Sequence, residues 1–395
     1  MHNKTAIIGA GASGLISAVF LGRKNINVTI YEKNSKVGRK LLTTGNGRCN
    51  ITNKNISKNN FYSSDPDFVK HSLHSFNFES CKKFFNEIGV EFIEGAKNRI
   101  YPMSQTASSV VDLLEHESLK NNVKINLNTQ VDEVEYKNGK FIINNKESFD
   151  NLIIATGSLA MPKLGSCDTG YKIAKEFGHE IIEPFPSLVQ LVSSNKSLDM
   201  ISGVKIEGIV NGVQGDILFT KYGISGSAVL DISRDIAAQL QYEEGVKISI
   251  DTMPLFNKSK LADMLIKRAS QDPSKDIYMW LDGLMNKKLA RYIIQNSISD
   301  KNVKYIKNLN RKDIQKIAHN IKNLQFTISD TKGFGSCEVC AGGVDVGNIN
   351  NKTMESKLQK GLYFTGEVLD VDGQCGGYNL HFAWASGYLA SKNIS

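Results

Sequence analysis

Three short stretches hold side chains with the types and spacing for redox or acid–base chemistry. Residues 43–53 read TTGNGRCNITN, with Arg48 and Cys49 set among glycines, threonines and asparagines and Ile51 as the one large apolar residue. A core strand or an amphipathic helix is not spelled this way, so backbone N–H groups and polar side chains are on offer to a ligand. Arg48 can bind a carbonyl or phosphate oxygen, or hold its own loop. The Cys49 thiol can hand a proton to a carbon, or pack as a small apolar group. Near the C-terminus GGYNLH brings Tyr378, a hydroxyl donor, and His381, an acid or a structural histidine. The third stretch is Cys337-Glu338-Val339-Cys340, a C-x-x-C. Zinc needs four ligands, and no second C-x-x-C or paired histidines accompany this one, so no metal is expected. A redox dithiol and an inert buried pair both fit the spacing. Acids beside a carbonyl-polarising arginine are the equipment for hydride addition to a conjugated C=C.

Such residues need elements to position them. Thr5–Ala10 (TAIIGA) is apolar and strand-forming, and Gly9-Ala10-Gly11-Ala12-Ser13-Gly14 follows as G-x-G-x-x-G. Ser13–Lys24 reads as a helix, Asn27–Tyr31 as a second strand, and Glu32 ends it. Strand, glycine turn, helix, strand and acid within about 30 residues form a dinucleotide-binding unit. Gly9 permits the turn, Gly11 lets a pyrophosphate approach, and Gly14 lets the helix pack close. Glu32 can accept from both ribose hydroxyls. Further pieces lie far along the chain: Gly38-Arg39-Lys40 with 43–53, Asn151–Gly157, Gly361–Glu367, and Gly376–Asn379 opening a helix over about Leu380–Ser391. Separated segments that end in glycine or acid suit a ligand longer than a mononucleotide, and FAD lying extended fits. Gly376–Asn379 would set a helix N-terminus near the flavin N1–C2=O edge. Gly333-Phe334-Gly335 lacks a third glycine, so no second dinucleotide domain is expected. NAD(P)H, the expected electron donor, then docks transiently, or electrons arrive otherwise.

The stretches GRKLLTTGNGRCNITN, NRIYPMSQTASSVVDLL, LFTKYGISGSAVLDIS, AGGVDVGNINNKTMESK and GLYFTGEVLDVDGQCGGYNLHFAWASG resemble the motif set of the BaiN/RdsA flavoprotein family along almost the whole chain. The resemblance implies a two-dinucleotide-binding-type FAD domain, Rossmann-like and α/β, with an inserted β-barrel and a helical domain. It implies FAD at Gly9, Gly11, Gly14, Glu32, Lys40, Asn50, Gly157, Gly366, Glu367, Gly377 and Asn379. Ala12, Ser13, Lys33, Arg39, Thr44, Gly45, Gly47, Val131, Ala155, Thr156, Gly376 and Tyr378 complete the candidate lining. The activities it implies are reduction of a uracil in large-subunit (23S) ribosomal RNA to dihydrouridine, oxidation of an amine such as aminoacetone, and reduction of a steroid C=C. A flavin-containing RNA-binding factor without turnover is a further reading. Two departures stand out. Lys221 and Ser227 occupy a usual histidine and proline, and Cys337 and Cys340 occupy a usual alanine and threonine.

The chain has 395 residues, 41% hydrophobic and 22% charged, enough for two or three cored domains. No run approaches the roughly 18 apolar residues of a membrane helix. No basic-then-apolar leader precedes the first strand, and six cysteines do not make a disulfide framework. A cytoplasmic protein with free thiols and no membrane contact is expected. The formal charge of +8 is local: residues 255–325 carry twelve Lys and three Arg against six Asp and no Glu, a net of +9. Such a surface concentrates anions, nucleic acid first, or is a solvated helical face. Tyr278, Trp280, Tyr292 and Tyr305 lie among these cations and can stack bases or fill a core. Ribosomal RNA through this segment, or else a small molecule, is the expected partner. The expected order is a first part of the FAD domain over 1–186, barrel strands over 187–254, the basic helical domain over 255–325, a barrel return over 326–344, and the rest of the FAD domain over 345–395. Residues 123–150 alternate like short antiparallel strands with an Asn138-Gly139 turn.

Overall fold

The computed structural model describes residues 3–300 and 303–395. It divides into two compact units, 1–187 with 334–395, and 188–333. The first is built on a five-stranded parallel sheet in the order Leu362–Phe364, Asn151–Ile154, Lys4–Ile8, Asn27–Tyr31, Lys124–Asn126. Its central strands are apolar on both faces, as a sheet covered on both sides requires: Ala6, Ile7, Ile30, Leu152 and Ile153 have no exposed surface. Ala12–Arg23 packs against one face and against the C-terminal helix Tyr378–Asn393. Their backbones approach at Gly387, where a Cβ would press on Ile16 and the Ser13 carbonyl.

Asn138 and Gly139 are both left-handed and turn Val134–Lys137 back onto Lys140–Ile143, which pairs next with Glu147–Phe149. Lys124–Asn126 does not join that antiparallel set, as the alternation had suggested. Its three residues complete the parallel sheet beside Asn27–Tyr31.

In the second unit Leu191–Val192, Lys205–Val210, Val213–Phe219, Gly223–Ser225, Val246–Asp251 and Leu324–Ile328 form one antiparallel sheet. Leu324–Ile328 pairs with Val246–Asp251, and the next residues, Asp330–Thr331, pair with Leu191–Val192. One run of chain therefore joins both ends of the strand order, and the sheet closes into a barrel. The expected barrel return over 326–344 is too long. Val339–Val344 pairs with Ile181–Ser187 inside the first unit, so the chain re-enters that unit at 334. The expectation of strands alone over 187–253 also missed a helix, Ser227–Gln239, which buries Val229, Ile232 and Ile236 at helical spacing.

The basic segment folds as Lys258–Gln271, Ile277–Trp280, Lys287–Ser297 and Arg311–Lys322. Asn257, Asp276, Asn286 and Asn310 each cap one of these helices by accepting from its first free N–H groups. Trp280 and Tyr292 are core residues, whereas Tyr305 is 45% exposed. Tyr278 is half-buried, with Arg291 5.8 Å from its ring centroid. Among the described residues no helix is long and apolar enough to cross a membrane.

Candidate functional site

The glycine turn leaves Lys4–Ile8 at the carboxyl edge of the parallel sheet, and its three glycines divide three jobs. Gly9 has φ 104°, and a Cβ there would run into the Ala155 carbonyl. A Cβ on Gly14 would collide with the Gly9 carbonyl. Gly11 differs: a Cβ there meets nothing within 4 Å, and the same holds at Gly157. These two face open space, with no side chain in the way of a ligand. Gly11 is also the residue before Ala12–Arg23, and it brings no capping side chain to the first helical N–H groups. A bare helix N-terminus beside empty space fits a pyrophosphate. The residues present therefore fit a dinucleotide.

Glu32 is buried and fixes the turn. Its Oε2 accepts from the Ala10 N–H at 2.9 Å, and its Oε1 accepts from the Asn34 N–H at 2.8 Å and the Asn34 amide at 2.6 Å. Arg39 donates to Asn34 Oδ1 at 2.7 Å and to the Lys163 carbonyl at 3.1 Å. Across the sheet edge Lys40 Nζ lies 2.6 Å from Glu367 Oε2. Glu367 Oε1 accepts from Ser158 Oγ at 2.6 Å and from the Cys340 N–H at 3.1 Å. Residues 40, 158, 340 and 367, far apart in sequence, thus meet on one carboxylate. Ser13 donates to the Thr365 carbonyl at 3.3 Å, and the Gly366 N–H donates to Ser386 at 2.9 Å. Ala155 is buried, Thr156 is half-buried, and Val131 is a core residue. Burial raises the Cys167 thiol, but hydrogen bonding to Thr169, aided by the Lys33 charge, outweighs it and holds the thiol below its usual value.

The 43–53 run is irregular up to Thr52–Asn53, a two-residue strand that pairs with Arg99–Pro102. Gly45, Asn46 and Gly47 are left-handed, and Cys49 is too, at φ 60°. A left-handed cysteine is uncommon and marks a backbone held by its surroundings. The Cys49 N–H donates to the Thr44 carbonyl at 2.9 Å, and Thr44 Oγ1 donates to the Leu41 carbonyl at 2.7 Å. Asn50 then reaches the C-terminal helix. With its amide nitrogen on the Thr52 and Ile100 carbonyls, its oxygen accepts from the Gly377 N–H at 3.0 Å. Asn53 donates to the Gly376 carbonyl at 3.0 Å. Asn379 clasps Gly373 with both ends of its amide, each bond 2.8 Å long. The segments expected to face one ligand, 43–53 and 376–379, are joined by these bonds.

The acid–base candidates separate. Cys49 has no exposed surface, and burial pushes its thiol up to about 12. It is packed as a small core group, not turned toward a substrate. His381 is also wholly buried. Its Nε2 must donate to the Phe76 carbonyl at 2.9 Å, so Nδ1 accepts from Thr52 Oγ1 at 2.8 Å. Both nitrogens are taken, and burial pushes the imidazole down to about 4. Of the two roles open to it, acid or structural histidine, His381 takes the second and is neutral. Arg48 is exposed, donates from Nε to the Gly45 carbonyl at 3.1 Å, and sits 4.5 Å over the Tyr101 ring. Tyr378 is half-buried at the first position of its helix, 6.1 Å from Phe61 ring to ring. Of the four acid–base candidates, Arg48 and Tyr378 are the two with exposed surface.

Sequence reasoning missed Asn34, Asn53 and Ser158. Ser158 was legible as the hydroxyl immediately after the Ala155-Thr156-Gly157 turn. The two asparagines carry no local signal, because each acts on a partner distant in sequence or on a neighbour's carboxylate. Cys337 and Cys340 lie beside Glu367, which spacing alone did not indicate. Among the described residues no group of three or more His, Cys, Asp or Glu could hold a metal ion.

A family model described as "HI0933-like protein Rossmann domain" matches residues 3–393. A 3-dehydro-bile acid delta(4,6)-reductase of Clostridium scindens is 34% identical, covering 99% of this chain and 98% of that one. A ribosomal RNA dihydrouridine synthase of Haemophilus influenzae is 34% identical over 100% of this chain and 99% of its own. The Escherichia coli protein of the same description is 30% identical over 98% and 97%. A solved 3-ketosteroid delta1-dehydrogenase from Sterolibacterium denitrificans shares the fold, with a TM-score of 0.55 at 11% identity and 99% coverage of both chains.

Proposed function

Because the chain belongs to the HI0933-like family of Rossmann-domain oxidoreductases, we propose that it is an FAD-dependent reductase whose substrate is a uracil in 23S ribosomal RNA, with NAD(P)H as electron donor. The observation that carries the flavin reading is the cradle. Gly11 and Gly157 face open space, and they follow parallel strands at the same edge of the sheet as Glu32 and Glu367, which Lys40 pairs.

FAD, when bound, supplies hydride transfer. The chain's own residues do the rest. Gly11 and the start of Ala12–Arg23 receive the pyrophosphate. Glu32 has lone pairs beyond its three protein bonds for ribose hydroxyls. The Lys40–Glu367 pair holds the two walls of the cradle together. The first turn of Tyr378–Asn393 presents its positive end to negative charge. Arg48 polarises the substrate carbonyl, and Tyr378 is the candidate proton donor to the carbon next to the one that takes hydride.

The substrate reading rests on the second unit. Lys258, Lys260, Lys267, Lys304, Lys307, Lys312 and Lys316 are exposed there, with Arg291 and Arg311. Counter-ion release from such a surface suits RNA phosphates, and Tyr305 offers a stacking face. A second reading, an enone reductase acting on a steroid-like small molecule, is favoured by the likeness to the bile acid reductase.

Mass spectrometry of ribosomal RNA from a strain lacking this protein separates the two. Loss of one dihydrouridine, restored by the intact gene, supports the RNA reading. Unchanged dihydrouridine, with enone-dependent reoxidation of the reduced purified protein, replaces it with the second.

A further inference from the structure

The mechanism leaves unexplained a lysine in a backbone conformation that lysine seldom takes. Phe92–Glu94 and Arg99–Pro102 pair antiparallel, and residues 95–98 turn one into the other. At the tip Lys97 and Asn98 are both left-handed, each at φ 58°. Asparagine tolerates that region because its short amide bonds locally, and lysine has no such compensation. The turn is held there from the 43–53 side. Asn53 Nδ2 donates to the Lys97 carbonyl at 3.1 Å, and the Lys54 N–H donates to the Asn98 carbonyl at 3.0 Å. The same Asn53 amide donates to the Gly376 carbonyl at 3.0 Å, so one side chain ties the hairpin tip to the turn that opens the C-terminal helix. Two more cations are fixed at this corner. Arg99 Nη2 lies 3.5 Å from Cys375 Sγ, next to Gly376. Arg48 lies 4.5 Å over the Tyr101 ring, and a Cβ on Gly45 or Gly95 would come within 3.2 and 3.0 Å of opposite edges of that ring. The stretches 43–54, 92–102 and 372–379 carry four cations, Arg48, Lys54, Lys97 and Arg99, and two carboxylates, Glu94 and Asp372. Glu94 faces Lys54 at 3.1 Å, and Asp372 is buried.

We propose that Lys97, with Arg48 and Arg99, forms an anion-binding mouth at the 375–377 turn, and that its occupant is the phosphate beside the reacting base. The inference rests on the RNA reading above and gives that reading a substrate contact inside the first unit. A uracil ring is small and uncharged, and it reaches an enzyme's reactive group only when its nucleotide leaves the stack. The phosphate next to it travels with it and is the handle that fixes register. Lys97 is exposed at a tip whose last two carbonyls are tied down, so its charge is carried on a rigid base. Its role is positioning and selection. It draws in a substrate that carries an anion and takes no part in bond making, so it acts on binding and not on the chemical step.

The test uses the FAD-loaded protein with a protein-free 23S ribosomal RNA fragment as substrate, and compares Lys97→Asn with Lys97→Arg. Asparagine suits the left-handed turn and removes the charge, so Lys97→Asn should melt no lower than wild type and keep its flavin band. Its KM for RNA should rise at least about fivefold, with kcat within about twofold. The slope of log KM against log salt should flatten by about 0.7, the share of one phosphate contact to a single strand. Lys97→Arg should keep the wild-type KM and slope. An unchanged KM and slope in Lys97→Asn, with RNA turned over normally, overturns the mouth and leaves the RNA reading intact. Equal loss in both variants overturns it as well, because a role in charge would be rescued by arginine. RNA that wild type does not reduce sinks the RNA reading and the phosphate with it. In that case a KM effect of Lys97→Asn on a carboxylated steroid enone, absent with its uncharged counterpart, gives the mouth to a carboxylate instead.

Discussion

Gly11 and Gly14 are two residues of one motif, yet the structure gives them opposite sensitivities. A Cβ at Gly11 enters open space, while one at Gly14 meets the Gly9 carbonyl. Gly11→Ala should therefore melt at the wild-type temperature without cofactor but bind FAD at least tenfold more weakly, a loss of about 1.4 kcal/mol or more. Gly14→Ala should lower the melting temperature even without FAD, because backbone must move. Equal melting of the two apo variants would contradict this division. His381 makes a second prediction. It titrates near 6.5 when unfolded and near 4 when buried. Above pH 6.5 both states are neutral and the group costs nothing. Between 6.5 and 4 the unfolded chain takes up a proton that the folded chain refuses, so stability falls as pH falls. The full effect is about 3 kcal/mol. His381→Gln keeps a donor for the Phe76 carbonyl and removes the titration, so its melting temperature should fall less steeply over that range. Parallel curves would place the proton uptake elsewhere. The types of these residues were legible in sequence. That His381 and Cys49 face inward was not, since a residue at a helix start or in a polar loop can point either way until its neighbours are known.

The C-terminal helix shows how one element is aimed. Gly377 is left-handed, and a Cβ there would press on the Thr52 carbonyl at 2.6 Å. Asn50 and Asn53 hold the turn from the 43–53 side, and Asn379 closes the loop onto Gly373. Asn379→Ala removes both bonds to a buried glycine and should cost about 1–3 kcal/mol of apo stability, read as a lower urea midpoint with an unchanged slope. An unchanged midpoint would make Asn379 a ligand contact rather than a clasp. The glycine-turn helix was recognisable because its signal lies within about 30 residues. Ser227–Gln239 was hidden for the opposite reason, being flanked by strand-like stretches and opening on glycine and serine. Lys124–Asn126 was assigned to the wrong sheet because three residues have too little pattern to choose a partner.

At the scale of the molecule, charge and fold occupy separate units. The parallel-sheet unit holds the cradle residues, and the barrel unit holds the basic helices. On Arg311–Lys322 the buried stripe is Ile314, Ile317, Ala318 and Ile321, which leaves Lys312 and Lys316 exposed. Lys312→Glu with Lys316→Glu should weaken binding to protein-free ribosomal RNA at least tenfold. It should also flatten the salt dependence by about 0.7 per lost phosphate contact, with an unchanged flavin spectrum. Affinity and slope equal to wild type would remove this helix from the RNA surface. The sequence by itself determined the parallel sheet with its glycine turn, the run of polar residues after it, and the confinement of positive charge to one segment. Each is a local pattern: a periodicity, a turn residue or a composition. Only the tertiary structure decided that residues 40, 158, 340 and 367 share one carboxylate, and that the return strand 339–344 belongs to the first unit. Those facts depend on which strands pair across more than a hundred residues. That choice is made by burial of the whole core and leaves no mark on any single stretch of the chain.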